Sequence, residues 1–320
     1  MDCLVTGGAG FIGHNLVRFL LDEGHHVRVL DNFSTGKREN LGPFLSKIEL
    51  IEGDLRSYHT VHEATQDIEV IFHQGALPSV PRSINDPITT NQVCVEGTLN
   101  ILDSAKSNDV RRVIYASSSS IYGENPALPK QEDMTPMPIS PYAVAKLAGE
   151  KYCQVFSRTY GLETVGLRYF NVFGLGQDPK SQYAAVMPLF ITAFLDGSRI
   201  TINGDGQQSR DFTFVENVIQ ANLKAAVAPK AAGEVFNVAC GNSTSLNQVI
   251  EHLRTITEVD TEVVHGPDRA GDIKHSLASI DKARELMGYN PAVSVESGLR
   301  MSVESVSYTH LRAHETRHDL

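Results

Sequence analysis

Tryptophan is absent from the 320 residues and cysteine occurs only four times. No run approaches the ~18 apolar residues of a membrane-spanning helix. Cys3, Cys94, Cys153 and Cys240 stand far apart, without a CxxC pair or a compact framework. That spacing excludes a disulfide-stapled fold and reads as reduced thiols. Positive charge is scarce as well: 28 Lys and Arg against 38 Asp and Glu give a formal charge of −10 and a pI near 5.6. A nucleic-acid or anionic-membrane surface needs clustered Lys and Arg, so neither partner is expected. The start lacks the basic segment and apolar core of a secretory signal, and a cytoplasmic protein is expected. Against these absences, 41% hydrophobic and 21% charged residues are an ordinary supply for a large globular core.

The opening stretch, DCLVTGGAGFIGHNLVRFLLDEGHHVRVLDN, runs from a short apolar segment through a glycine-rich turn into apolar positions at helical spacing. A second apolar run then ends in Asp31. Strand, turn, helix, strand and acid is the order of a dinucleotide-binding βαβ unit. Gly7, Gly10 and Gly13 permit the tight turn, the approach of backbone to a pyrophosphate, and close helix packing, while the helix N-terminus faces the anion. Asp31 would accept the adenosine ribose hydroxyls and repel a 2′-phosphate, favouring NAD over NADP. Lys37 and Arg38 keep NADP as a minor alternative, or are simply a solvated loop.

The alternation continues. KIELIEGD and EVIFHQGA read as strands, VHEATQ as a short helix, and Asp86 with Pro87 opens a long helix to about Ser107. RRVIYASSSS is the next strand, so the fold class is α/β, a doubly wound parallel sheet whose ligands sit beyond the strands' carboxyl ends. After about 171 the pattern loosens, with a helix in AAVMPLFITAFLDGS, a strand in RITING and a helix in LNQVIEHLRTI.

A serine run, Ser117 to Ser120, ends that strand, and SPYAVAKLAGEKY follows, with Tyr142 and Lys146 one helical turn apart on a common face. Alone, serines beside Tyr-Gly read as a turn, and a YxxxK pair as surface neighbours. Together with TGGAGFIG, GDL, HQGA, RYFNVFG, SRDF and RAGD, they make residues 1 to 305 resemble the extended short-chain dehydrogenase/reductase, or NAD-dependent epimerase/dehydratase, family. HQGALPSVPRSINDPITTN, RYFNVFGLGQDPKSQYAAVMP, INGDGQQSRDF and RAGDIKHSLASI are similar to its UDP-N-acetylglucosamine 4-epimerase subgroup.

The resemblance implies a Rossmann domain at 1–170, rejoined at about 212–240, and an interleaved, smaller mixed α/β substrate domain at 171–305. Tyr142 would be the general base, Lys146 its tuner and ribose anchor, and Ser118 the hydroxyl that binds and shares the sugar's proton. NAD would be held by Gly7, Gly10, Phe11, Ile12, Asp31, Asn32, Asp54, Leu55, Gln74, Ala76 and Tyr169, with Tyr142 and Lys146. A UDP-sugar would meet Ser119, Ser120, Arg82, Ser83, Asn171, Ala185, Val186, Asn203, Arg210, Arg269, Asp272 and Ser276. Arg210 and Arg269 suit the diphosphate, because guanidinium forks match phosphate oxygens.

Family dehydratases and decarboxylases keep carboxylates just after the catalytic serine or threonine. Ser119 and Ser120 are not carboxylates, so the expected reaction is NAD-dependent 4-epimerisation by transient oxidation at C4. Ser276, where relatives restricted to non-acetylated sugars carry tyrosine, leaves room for UDP-GlcNAc and UDP-GalNAc. Ser117 alone keeps the reading of a polar loop residue. The alternatives are a net NAD-dependent nucleotide-sugar oxidoreductase and a non-catalytic NAD-binding sensor.

Two residues depart from the family pattern. Cys94 stands where asparagine is common near the cofactor, and Gly75 replaces a usual alanine. The resemblance also implies a homodimer through the helices at 87–107 and 141–159. From Val306 to Leu320 the apolar periodicity fails, and a non-native tail is expected after an interruption near Ser305. His310, His314 and His318 share a helical spacing there without a ligand cluster, so no metal site is assigned.

Overall fold

The computed structural model describes residues 1–179, 185–267 and 274–318, with side chains as far as 307. Seven strands form the central sheet: β1 (Asp2–Thr6), β2 (His26–Asp31), β3 (Ile48–Glu52), β4 (Val70–His73), β5 (Arg112–Ser118), β6 (Glu163–Tyr169) and β7 (Val235–Val238). Their spatial order is β3-β2-β1-β4-β5-β6-β7, and every pairing is parallel. The order reverses between β1 and β4, where such sheets open a ligand crevice.

Helices cover both faces, so successive side chains of one strand enter different cores. Cys3 and Val5 of β1 pack in one cluster, with Leu16, Val17 and Leu20 of helix α1 (Phe11–Asp22). Leu4 packs in the other, with Val61, Ile101 and Leu102. This two-sided burial is why β1 and β5 read as continuous apolar runs rather than alternating ones. Each such side chain taken fully out of water contributes about 2 kcal/mol.

The helix opened by Asp86, whose Oδ1 accepts from Thr89 N at 3.0 Å, is not regular throughout. Pro87–Asn91 passes into a wider π-helical turn, Gln92–Glu96, before Gly97–Ser107. That turn carries the buried Cys94. Helix α2 (Pro141–Tyr160) has Ser140 as its N-cap and ends at left-handed Gly161. Helix α3 (Val215–Val227) packs against α1, and β7 follows it into the main sheet.

The rest is built from short pairs. Ile200–Asn203 lies parallel to Val263–Gly266, Ser209–Arg210 antiparallel to Thr244–Ser245, and Thr213–Phe214 parallel to Val172–Phe173. Helices Val186–Asp196 and Leu246–Thr257 flank them, the latter opened by a reciprocal Ser245–Gln248 capping box. The last helix begins at Val295 and its backbone continues to His318.

Candidate active site

The turn between β1 and α1 can only be made by glycine at two points. Gly7 has φ +67°, and a Cβ there would lie 2.7 Å from Gly75 Cα on the neighbouring strand end. A Cβ on Gly13 would stand 2.1 Å from Gly7 O, so α1 seats directly on the turn. Gly10 is the N-cap of α1 and no side chain caps that end. The helix N-terminus is therefore open to an anion.

A cleft of about 1410 Å³ extends from this turn. Gly7, Gly10, Phe11 and Ile12 lie on its wall with Asp31, Asn32, Asp54 and Leu55. Gln74, Ala76 and Tyr169 continue that wall to Tyr142 and Lys146. The residues expected to hold NAD thus converge on one continuous surface.

Asp31 ends β2 with Oδ2 accepting from Ala9 N at 2.9 Å and Oδ1 from Phe33 N at 2.8 Å. Asn32 donates to Asp54, whose carboxyl is held down at about 2, chiefly by the hydrogen bond from Arg56. Lys37 pairs with Asp178 at 2.7 Å. Arg38 pairs with Glu52 and covers the Phe33 ring at 4.0 Å. Both basic residues that kept NADP open are engaged by carboxylates, consistent with a ribose lacking a 2′-phosphate.

Below the cleft, Gln74, Tyr169 and Asn222 form a closed hydrogen-bonded triad, with Tyr169 Oη at 3.1 Å from Gln74 Oε1 and accepting from Asn222 Nδ2 at 2.9 Å. Burial pushes the Tyr169 phenol up to about 12, so it stays a neutral wall group.

The catalytic candidates meet where β5 ends. Lys146 is buried and donates to Ala116 O at 2.7 Å, its Nζ 5.9 Å from the centre of the Tyr142 ring. Burial pulls the Lys146 ammonium down and pushes the Tyr142 phenol up, the nearby Cys94 thiol adding to the latter and a hydrogen bond with Ser118 opposing it. Ser118 also accepts from Ser120 N at 3.2 Å as cap of the 3₁₀ turn Ser119–Tyr122. Ser120 Oγ is buried with no hydrogen-bond partner among the described residues.

Ser117 is not a loop residue. It is the penultimate residue of β5, 3% exposed, and donates to Glu150 at 2.9 Å. The strand extends further into the serine run than turn composition suggested, because β6 pairs along it as far as Ser118↔Tyr169.

The residues expected to meet the substrate are more scattered. Arg82 and Ala185 lie on the cleft wall, and Val186 opens the helix that follows. Ser83 is fully buried, its hydroxyl turned to Val80 O. Asn171, at φ +35°, donates to Asp211 O. Arg210 donates to Ser209 O and Lys274 O, both at 3.0 Å, and Ser276 N donates to Ser209 O, so Arg210 and Ser276 share one edge. Asn203 is exposed at the end of its strand, and Thr201 rather than Asn203 reaches the cleft. Arg269 and Asp272 lie outside the described residues.

Sequence reasoning missed Glu150, Arg168 and His73. Glu150 and Arg168 make a buried bidentate pair, 2.7 and 2.9 Å, at side-chain exposures of 0% and 3%. Neutral His73, depressed to about 3 by burial, bridges Thr6 and Thr98. Among the described residues no cluster of His, Cys, Asp or Glu has metal-ligand geometry, and no helix is long and apolar enough to cross a membrane.

Residues 3–239 match the family model described as the NAD dependent epimerase/dehydratase family. A UDP-glucose 4-epimerase of Mycolicibacterium smegmatis is 38% identical over 308 residues, covering 95% of this chain and 98% of its own. The solved UDP-N-acetylglucosamine 4-epimerase of Methanobrevibacter ruminantium, in complex with UDP-N-acetylmuramic acid, superposes with a TM-score of 0.92 at 40% identity, covering 96% of this chain and 98% of that one. A Thermus thermophilus UDP-glucose 4-epimerase solved with NAD gives 0.86 at 35% identity, covering 95% and 98%. Taken with the glycine turn, Asp31 and the Tyr142–Lys146 pair on one cleft, these likenesses show that the chain belongs to the NAD-dependent epimerase/dehydratase family.

Proposed function

We propose that the protein is an NAD-dependent UDP-sugar 4-epimerase whose pocket takes UDP-GlcNAc and UDP-GalNAc. The observation that carries this reading is the end of β5. Ser118 stands beside Tyr142 and Lys146, and the next two residues are hydroxyls rather than carboxylates. Elimination or decarboxylation needs a further acid or base there, which a serine does not supply near neutral pH.

NAD supplies a reversible hydride acceptor and, when oxidised, a positive charge. The glycine turn and α1 N-terminus would take its pyrophosphate, Asp31 the adenosine ribose, and Lys146 the other ribose. Tyr142 removes the proton of the sugar 4-hydroxyl and later returns one. Its phenol is raised by burial, so the phenolate depends on the ammonium of Lys146 and the cofactor's charge. Ser118 Oγ holds the reacting oxygen and shares the proton in transit. Inversion at C4 would require the oxidised sugar to turn within the pocket between the loss and the return of hydride.

Arg210 and Arg269 are assigned to the nucleotide diphosphate, with Asn171, Ala185, Val186, Asn203 and Asp272 lining the UDP-sugar pocket around it and Arg82 and Ser83 on the sugar-side loop. Small Ser276 is assigned to the acetamido end of the sugar. A homodimer is proposed through α2 and the helix at 87–107, where Val144, Val155 and Ile88 are more than half exposed.

The test is incubation with UDP-GlcNAc, UDP-glucose and the uronic acid UDP-GlcNAcA separately, without added NAD, with the C4 epimer read by NMR. Epimer from UDP-GlcNAc is expected. Stoichiometric NADH would instead establish a net oxidoreductase, and binding without turnover a sensor.

A further inference from the structure

The three catalytic candidates sit on two elements, β5 and α2, which pack against each other, and something must fix their register. Three consecutive residues of β5 reach α2: Tyr115 Oη donates to Lys146 O at 3.2 Å, Ala116 O accepts from Lys146 Nζ at 2.7 Å, and Ser117 Oγ donates to Glu150 Oε2 at 2.9 Å. Glu150 lies one helical turn beyond Lys146, just as Lys146 lies one turn beyond Tyr142. Its carboxylate is in turn gripped by Arg168 of β6, through Nε to Oε2 at 2.9 Å and Nη2 to Oε1 at 2.7 Å. Arg168 Nη1 also donates to Tyr122 Oη at 2.7 Å, at the far end of the 3₁₀ turn that Ser118 begins, and Tyr122 donates to Asn237 of β7 at 2.7 Å.

We propose that Glu150, clamped by Arg168, is a positioning residue that holds Ser118 and Lys146 at the spacing Tyr142 requires, with Ser117 as its link to β5. The carboxylate touches neither the cleft nor the reacting atoms. It acts on both by fixing the residue before Ser118 and the turn after Lys146. Desolvating two charges completely is not repaid in stability over an apolar pair of similar volume. A bidentate guanidinium–carboxylate grip does, however, restrict direction as an apolar contact does not. The proposal holds for any sugar on which Tyr142 acts and does not depend on the assignment of UDP-GlcNAc.

Ser117→Ala deletes one hydroxyl and leaves the ion pair in place. It is measured as the NAD-loaded protein, on whichever of UDP-GlcNAc and UDP-glucose the wild type converts. The expected result is a fall in kcat of about tenfold, since small misplacement of a reacting group is costly. KM and NAD content stay unchanged, and the acid limb of the kcat–pH profile moves to higher pH. Ser117→Thr, which keeps the hydroxyl, restores kcat. Glu150→Gln, which keeps the shape and loses the charge, follows Ser117→Ala in kcat. A folded, NAD-loaded Ser117→Ala protein with wild-type kcat and pH profile overturns the proposal. So does a loss of activity that only tracks the folded fraction.

Discussion

Replacing His73 by Gln isolates a titration hidden under the cofactor turn. Thr6 Oγ1 accepts from Gly75 N at 3.0 Å and stands 2.7 Å from His73 Nδ1, while His73 Nε2 lies 3.0 Å from Thr98 Oγ1, whose proton goes to Cys94 O at 2.7 Å. Each hydroxyl has one proton to give, so the ring carries its own on Nε2 and accepts at Nδ1. The imidazole is fully buried and its affinity for a second proton falls from 6.5 to about 3, desolvation being the main cause and Lys146 the second. A histidine with a depressed folded-state pKa contributes stability that is complete above its unfolded value and lost as pH falls. Each pH unit below about 6.5 costs about 1.4 kcal/mol until the folded value is reached. Between neutrality and about pH 5 the wild type loses about 2 kcal/mol through this one group. His73→Gln keeps a donor and an acceptor but does not titrate. It is less stable by about 1–3 kcal/mol at neutral pH, through imperfect hydrogen bonds. The assay is urea unfolding of the NAD-saturated proteins at about pH 7.5 and about pH 5, in which the other titrating groups cancel between wild type and variant. The stability gap should shrink by about 2 kcal/mol at the lower pH. A gap unchanged between the two conditions would refute the buried neutral imidazole.

Tyr142→Phe should lower kcat by about 10²–10⁴-fold with NAD content unchanged, and activity lost only with the cofactor would remove the general-base assignment. Ser276→Tyr should depress turnover of UDP-GlcNAc relative to UDP-glucose by at least about tenfold, because a filled pocket rejects the larger group; an unchanged ratio removes the wall argument. Titration with NADP should give binding at least about tenfold weaker than NAD, reflecting repulsion at Asp31 with Lys37 and Arg38 already paired, and Asp31→Asn should narrow that ratio. Val155→Asp should shift sedimentation toward a monomer, since a desolvated carboxylate on the apolar face of α2 opposes association.

The nucleotide half was legible because its signals are local. Gly7 and Gly13 are demanded by contacts within one turn and its neighbours, and the two-sided burial of β1 and β5 shows directly as unbroken apolar runs. Ser117 and Ser118 were harder, because a serine run ends a strand and begins a turn with the same composition. Only the pairing with β6 divides them, and that depends on residues fifty positions away. The substrate side was least legible for a related reason: Arg210 and Ser276 are brought to one edge by the backbone of Ser209, and no periodicity in either segment announces that pairing. Charges raise a different difficulty. Lys37, Arg38, Glu150 and Arg168 are alike in sequence, yet the first two are held at the surface and the last two are buried. A weak signal for the second case was present, since Tyr142, Lys146 and Glu150 recur at i, i+4 and i+8 on one helical face. A lysine and a glutamate stacked on the face that also carries Tyr142 cannot both be solvated ornament if that face meets the sheet. Gly149 reinforces the point, because a Cβ there would stand 2.3 Å from Tyr115 Oη, so α2 lies against β5 along this stripe and its charges must find partners inside.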